Sequence, residues 1–268
     1  MTAEAIEHWA DAADPRRRIG HAVEFAAVID STNDRARALL AVPGGEGVAV
    51  VADHQRSGRG RRGRRWESPA GRNLMLSVGL RTNVPAADAW LVSAAASLAV
   101  RAAVAPIVDL GVKWPNDVVT PDGRKVAGIL VETVLEGATM VEAVIGIGVN
   151  VNWRHDDMPP EIAARATSLA EIVGRPVPRV SLLARLLALL DDELAPRRFG
   201  DSTRERYGAA SVLTGRSVVV DRGDRLVRGV AAGIDLDGSL LLDMMGERVA
   251  IGHGEVVRVG SDVSGGTV

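Results

Sequence analysis

The apolar and polar positions of the chain switch repeatedly between strand and helix periods. Val23 to Ile29 reads as a strand, and Ser31 or Thr32 is a good N-cap for a helix through Leu40 with Asp34 in its first turn. Pro43-Gly44-Gly45 breaks that helix, and Gly47 to Ala52 and Asn73 to Leu80 predict two more strands. Asp88 to Val104 is Ala-rich and free of Gly and Pro, which predicts a long helix. Lys125 to Thr133 and Met140 to Val149 are β-rich runs joined at Leu135-Glu136-Gly137, the pattern of an antiparallel hairpin. Leu182, Leu183, Leu186, Leu187, Leu190 and Leu194 share one face of a helix over Val180 to Leu194, which Pro196 ends. A shorter helical stretch surrounds Thr203 to Tyr207.

After about Ala210 the texture changes to five short alternating runs, Ser217–Asp221, Leu226–Ile234, Ser239–Asp243, Glu247–Ile251 and Val256–Val259. The chain thus divides into a polar lead segment (1–22), an α+β domain (23–212), a small β-barrel (213–262) and a tail (263–268). The polar stretch Asn152 to Ala166, with Pro159-Pro160, reads as a mobile loop.

Composition narrows the function. Formal net charge is only -2, against a protein that coats nucleic acid and against an acidic disordered one. No apolar run reaches the roughly 18 residues that cross a bilayer, and the N-terminus lacks a basic-then-apolar signal pattern. With no cysteine there is no disulfide framework, thiolate zinc site or cysteine nucleophile. The expectation is a soluble cytoplasmic protein. Of the 32 basic residues only Lys113 and Lys125 are lysine. A bias toward arginine spares lysine where a compact ammonium is needed, because the two side chains are not interchangeable. Both survivors fall in one short stretch.

Three segments carry chemistry. Gly58-Arg59-Gly60-Arg61-Arg62-Gly63-Arg64-Arg65, followed by Trp66, sets five guanidinium groups on a backbone that can approach a ligand closely. It reads as an anion site, with a solvated basic turn or a nucleic-acid contact as the other readings; mutual repulsion is expected to leave it disordered without ligand. Lys113-Trp114-Pro115-Asn116-Asp117 places charged and amide groups at a strand end, and Lys125 opens the next strand with Gly128 where a ligand can pack on backbone. Gly146-Ile147-Gly148-Val149-Asn150 alternates small and large residues and is weak alone.

Taken in order, Ser31-Thr32-Asn33, Gln55-x-x-Gly58-Arg59-Gly60-Arg61-x-Gly63-Arg64-x-Trp66, Lys113-Trp114-Pro115-Asn116-Asp117, Arg124-Lys125-x-Ala127-Gly128-Ile129-Leu130-x-Glu132 and Gly146-Ile147-Gly148-Val149-Asn150 span about Val28 to Val259 and resemble biotin protein ligase, also called biotin–[acetyl-CoA-carboxylase] ligase. The resemblance implies an α+β fold, a class II synthetase-like mixed-sheet catalytic domain with a C-terminal SH3-like β-barrel. It also implies a ligase that makes biotinyl-5′-AMP from biotin and MgATP, then acylates a lysine on the biotin carboxyl carrier domain of acyl-CoA carboxylases.

By the same resemblance, Ser31, Thr32, Asn33 and Gln55 hold the ureido ring, and Gly58, Arg59, Gly60 and Arg61 close over biotin. Lys125 bridges the biotin carboxylate and the α-phosphate beside Gly128, while Arg64, Trp66, Lys113, Asn116 and Asn150 face the nucleotide. Lys125, Arg61 and Asp117 are the expected catalytic residues. Asp117 is left with three roles: orienting Lys125, orienting the acceptor amine, or helping to hold Mg²⁺. No metal ligand is assigned. Trp114 reads as packing, and Trp153 as either an adenine-stacking residue or a cover for the hairpin. A DNA-binding domain like that of some family members has no room, so no DNA and no membrane partner is expected, and the protein is taken as a monomer or weak homodimer. Lipoate or octanoate ligation uses the same fold class, and Gln55 with the Gly/Arg loop favours biotin. A nucleic-acid binder would need more aromatic surface than five Trp, two Phe and one Tyr provide.

Overall fold

The β-branched runs pair into two sheets in the computed structural model, which describes residues 9–262; positions 1–8 of the lead segment and the tail 263–268 lie outside the described residues. Strands β1 (Val23–Ile29), β2 (Ala49–Gln55), β3 (Leu74–Pro85), β4 (Gly111–Lys113), β5 (Asp117–Val119), β6 (Lys125–Glu136) and β7 (Thr139–Val149) form one mixed sheet in the order β1-β2-β3-β7-β6-β5-β4. Only β1 and β2 are parallel, joined through helix α1 (Thr32–Leu40); the other neighbours run antiparallel. The predicted β6–β7 hairpin is present, with Gly128 opposite Gly148 and Leu130 opposite Gly146.

The two faces of this sheet differ because side chains alternate along each strand. Ala49, Val51, Ile145 and Ile147 point into the main core. Helices α2 (Trp90–Val104) and α5 (Arg179–Glu193) complete that layer, α5 burying its predicted leucine stripe from Leu182 to Leu190. The alternate residues Val50 and Val144 meet α1 on the other face, beneath Ala36, Leu39 and Leu40. On that second face the large residues give way to Gly128, Gly146 and Gly148, leaving a hollow.

The smaller sheet is antiparallel, ordered β11 (Glu247–Ile251), β10 (Leu240–Met244), β9 (Leu226–Ile234), β8 (Arg216–Asp221), β12 (Glu255–Asp262), as the five alternating runs predict for an SH3-like unit. Its core contains one residue from the larger sheet's territory: Trp114, in the β4–β5 turn, packs with Leu213, Val220, Leu242 and Ile251. The Trp114 indole N–H donates to the Gly238 carbonyl at 2.9 Å. Trp114 is therefore a packing residue, and the lysine-bearing segment is the joint between the two sheets.

Three sequence expectations are revised. The polar lead segment is part of the body from Trp9 onward: Trp9 and Ile19 are buried, and Trp9 stacks on Phe25 at 5.3 Å with the Arg179 guanidinium 5.1 Å from its ring. Sparse apolar residues hide that packing, because two large side chains do the work of a longer run. The stretch 152–166 is built rather than loose. It contains α3 (Pro160–Ala163), the Asn152 amide bridges both polar groups of Val177, and Lys125 pairs in parallel with Ala166. Helix α4 (Leu169–Val173) and α6 (Asp201–Ala209) follow on either side of α5. Finally, a helical stretch long and apolar enough to cross a membrane does exist: Ala86–Val104, 19 residues of mean hydropathy 1.3. Its most apolar window is 61% buried, against α5 and the sheet, so here it serves as a core helix.

Replacing Trp9 with alanine should cost about 3 kcal/mol, the usual range for emptying a buried aromatic site. Denaturant unfolding checks this, and a midpoint equal to that of the parent would place the lead segment outside the cooperative unit.

Candidate active site

The glycine hollow opens into a cavity of about 200 Å³ between the sheet face, the start of α1, the Gly/Arg loop and the residues around 162–166. The three glycines explain its depth. A Cβ on Gly146 would lie 2.3 Å from the Asn33 side-chain oxygen, and one on Gly148 would lie 2.4 Å from the Trp66 indole. A Cβ on Gly128 would lie 2.8 Å from Lys125 Nζ and 3.2 Å from the same indole. Trp66 thus lies on a glycine floor, and its indole N–H is buried without a hydrogen-bond partner among the described residues.

At one end of the cavity the polar groups form a neutral network. Ser31 caps α1, its hydroxyl accepting the Asp34 N–H, which leaves Thr32 and Asn33 buried at the helix start. Gln55 Oε1 accepts the Thr32 N–H at 2.8 Å and lies 3.0 Å from its hydroxyl. Ser77 links the pair, with its hydroxyl 2.7 Å from Thr32 Oγ1 and 2.6 Å from Asn33 Oδ1. The Asn33 amide donates to Glu132 at 3.1 Å. These groups present donors and acceptors from fixed positions, the requirement for reading a planar urea-like ring.

The other end is cationic. Lys125 Nζ forms an ion pair with Asp117 Oδ1 at 2.6 Å and lies 5.5 Å from the Trp66 ring. Asp117 and Lys113 face each other across the β4–β5 pair. Lys113 and Arg61 both line the cavity with no ion-pair partner among the described residues, and burial pulls both pKa values down. A guanidinium stays protonated despite such a shift. Positive charge in excess of the nearby Asp117 and Glu255 carboxylates makes this end a site for an anion.

The other loop arginines do have partners, and this corrects the expectation of a disordered loop. Arg59 makes a two-armed contact with Asp34 at 2.8 and 2.6 Å and reaches Glu132 at 3.3 Å. That contact, chiefly its hydrogen bonds, holds the Asp34 carboxyl below its ordinary pKa. Arg64 pairs with Glu255 at 2.7 Å, Arg62 donates to the Asp221 carbonyl at 3.1 Å, and Arg65 donates to the Arg56 carbonyl at 2.6 Å. Acids and carbonyls from α1, β6 and the small sheet therefore cancel the repulsion that the loop sequence alone displays. The path includes Arg62 in the left-handed region, φ 58°, next to Gly63 at φ 72°.

Fifteen of the sequence-predicted site residues line this cavity: Ser31, Thr32, Asn33, Gln55, Arg59, Gly60, Arg61, Arg64, Trp66, Lys113, Asn116, Asp117, Lys125, Gly128 and Asn150. Gly58 does not; it lies beneath the loop, where a Cβ would come within 2.7 Å of the Trp66 carbonyl. Asn116 and Asn150 spend their side-chain amides on backbone carbonyls of the frame. The Asn116 amide donates to the Ile129 carbonyl at 2.6 Å, and the buried Asn150 amide donates to the Thr167 carbonyl at 3.2 Å. Trp153 is buried in the cavity wall with its N–H on the Asp157 carbonyl at 3.2 Å.

The site also includes Ser77, Arg165 and Glu255, which lie outside the sequence motifs, Asp34, which the sequence shows only as a first-turn acid, and Glu132, which it shows only as a motif member without a role. Ser77 had a signal, a hydroxyl in an otherwise apolar strand. Glu255 had none, because it meets Arg64 across 191 positions of sequence.

The chain is similar to known proteins over most of its length. The family model described as Biotin/lipoate A/B protein ligase family matches residues 25–150. The biotin--[acetyl-CoA-carboxylase] ligase of Mycobacterium tuberculosis is 36% identical over 80% of this chain and 80% of its own length. The enzyme of the same name from Paracoccus denitrificans is 35% identical over 85% of this chain and 96% of its own. Among solved structures, the biotin protein ligase of Aquifex aeolicus in complex with biotin and ATP superposes with a TM-score of 0.73 at 30% identity, covering 89% of this chain and 99% of that one. The chain belongs to the biotin protein ligases of the biotin/lipoate A/B protein ligase family.

Proposed function

We propose that the protein is an ATP-dependent biotin protein ligase that forms biotinyl-5′-AMP and then biotinylates a lysine on the carrier domain of acyl-CoA carboxylases. The observation that carries this reading is one cavity with a neutral, hydrogen-bonding end and a cationic end, lined by the family's motif residues. In the first half-reaction a biotin carboxylate oxygen attacks the α-phosphorus of ATP, and the bond to pyrophosphate breaks. Two unit charges about 4 Å apart repel by about 4 kcal/mol at an effective dielectric of 20. Fixed positive charge at the junction removes that barrier without reorganisation.

Lys125 supplies the central charge. Lys125 Nζ faces Asp117 Oδ1 as an ion pair without a hydrogen bond, so its three donors are open to the carboxylate and the α-phosphate. Of the three roles open to Asp117, orienting Lys125 is the one that its 2.6 Å contact supports. Arg61 and Lys113, lacking acidic partners, are the groups available to a triphosphate. In the second half-reaction the carrier amine attacks the acyl carbon, AMP leaves with the electrons of the C–O bond, and the nitrogen loses a proton.

Magnesium enters as MgATP. No group of three or more acidic, histidine or cysteine side chains among the described residues makes a metal cage, and a hydrated Mg²⁺ held mainly by substrate phosphates needs none. The reading takes the enzyme as cytoplasmic, as a monomer or weak homodimer, and as working without DNA.

The direct test is to mix the protein with MgATP, labelled biotin and a carrier domain. The label is expected to become covalent on the carrier only when all are present; no label on the carrier would refute the assignment. Lys125→Arg is expected to lower biotin-dependent pyrophosphate exchange about 100-fold although charge is kept, since a displacement near 1 Å costs that much. A planar fork does not reproduce the compact, three-donor ammonium held beside Asp117, the Trp66 ring and the Gly128 backbone. Exchange near the parent rate would show that charge alone suffices. Gly128→Ala should lower exchange sharply with a much smaller loss of melting temperature, because the new Cβ meets the flexible end of Lys125 at 2.8 Å and only the edge of the Trp66 ring at 3.2 Å. Equal losses in stability and activity would instead mark Gly128 as a packing residue.

A further inference from the structure

Lysine is confined to the reaction cavity. The chain has two, Lys113 and Lys125, and both line it, so the side-chain amines beside a bound adenylate are the enzyme's own. Resting on the ligase reading, we propose that Lys113 is a self-acylation site: when no carrier takes the biotinyl group, the Lys113 amine does, and the enzyme closes its own cavity.

The two amines differ in their surroundings. Lys125 Nζ lies 2.6 Å from Asp117 Oδ1 and 5.5 Å from the Trp66 ring, and an ammonium engaged by a carboxylate and an aromatic face is not a free nucleophile. Lys113 has no ion-pair partner among the described residues. It stands opposite Asp117 across the β4–β5 pair, yet both carboxylates near it are engaged, Asp117 by Lys125 and Glu255 by Arg64 at 2.7 Å. Burial lowers its pKa, Lys125 and Arg165 add to the effect, and Asp117 and Glu255 only partly offset it. A buried amine without a counterion is the setting in which lysine acts as a nucleophile.

The order of the reaction exposes this amine. While the triphosphate or the released pyrophosphate is bound, Lys113 has an anion beside it, which favours the charged ammonium. Departure of pyrophosphate removes that anion and leaves the adenylate in place. The neutral Lys113 nitrogen then attacks the acyl carbon, the C–O bond to AMP breaks, AMP leaves with its electrons, and the nitrogen loses a proton to water. The product is a biotinyl amide on the enzyme. With one cation lost and a biotinyl chain in the cavity, the cationic end no longer receives a triphosphate. A carrier competes by supplying a better-aligned amine.

The protein is incubated with MgATP and biotin without a carrier, and its intact mass and peptides are measured. One biotinyl group is expected on Lys113 and none on Lys125, gained about 100-fold more slowly than transfer to a carrier, the scale of imperfect alignment. Pyrophosphate exchange should fall in step with the modified fraction, and a carrier domain should protect against both changes. Preformed biotinyl-AMP should label the parent and leave Lys113→Arg unlabelled, a comparison that does not depend on adenylation by the variant. An unmodified chain in a protein that catalyses exchange would overturn the inference alone, as would a biotinyl group on Lys125 or the terminal amine instead of Lys113. Absence of exchange in the parent would overturn the ligase reading and the inference with it.

Discussion

The ion pair of Lys125 and Asp117, resting on bare backbone at Gly128, is the contact around which the rest is arranged. It sets an ammonium 2.6 Å from its carboxylate partner at the point where the sheet's glycine face meets the β4–β5 turn. The strand alternation that buries Ile145 and Ile147 leaves Gly146 and Gly148 on the opposite face, and this hollow admits Asn33 and Trp66. A side chain of any size at these positions would evict one of them. The site is therefore a consequence of how the sheet is filled on one face and emptied on the other.

Charge is distributed by the same economy. Five arginines in eight residues would repel one another, yet four have acceptors drawn from α1, β6, the Arg56 carbonyl and the small sheet. Arg61 is left over, and with Lys113 it faces the cavity unpaired. The loop is thus a clamp whose spare charge is aimed inward. Because Arg62 and Arg64 hold the small sheet while Trp114 fills its core, the second domain is tied to the reaction cavity from two sides.

Much of this is legible in the sequence, for identifiable reasons. The leucine stripe of α5 and the β6–β7 hairpin have strong periods, so their existence follows from pattern alone. The motif residues converge on one cavity because each motif ends a strand or opens a helix on the same face. What pattern cannot show is pairing across distance. Glu255 and Asp221, the anchors of Arg64 and Arg62, lie in a domain whose runs carry no chemical signature. Trp9 and the 152–166 stretch look polar because their packing rests on a few contacts, an indole stack and one bridging amide, rather than on a periodic face. The two lysines were visible by scarcity, and the geometry separates them: Lys125 is paired with Asp117, while Lys113 has no carboxylate of its own.

The central claim is that the neutral end of the cavity reads a ureido ring and the cationic end activates the carboxylate attached to it. Isotope exchange between pyrophosphate and ATP, measured on the unmodified protein with biotin and separately with lipoate, tests it most directly. The account predicts exchange that depends on biotin and is absent with lipoate; exchange supported by lipoate and not by biotin would contradict it.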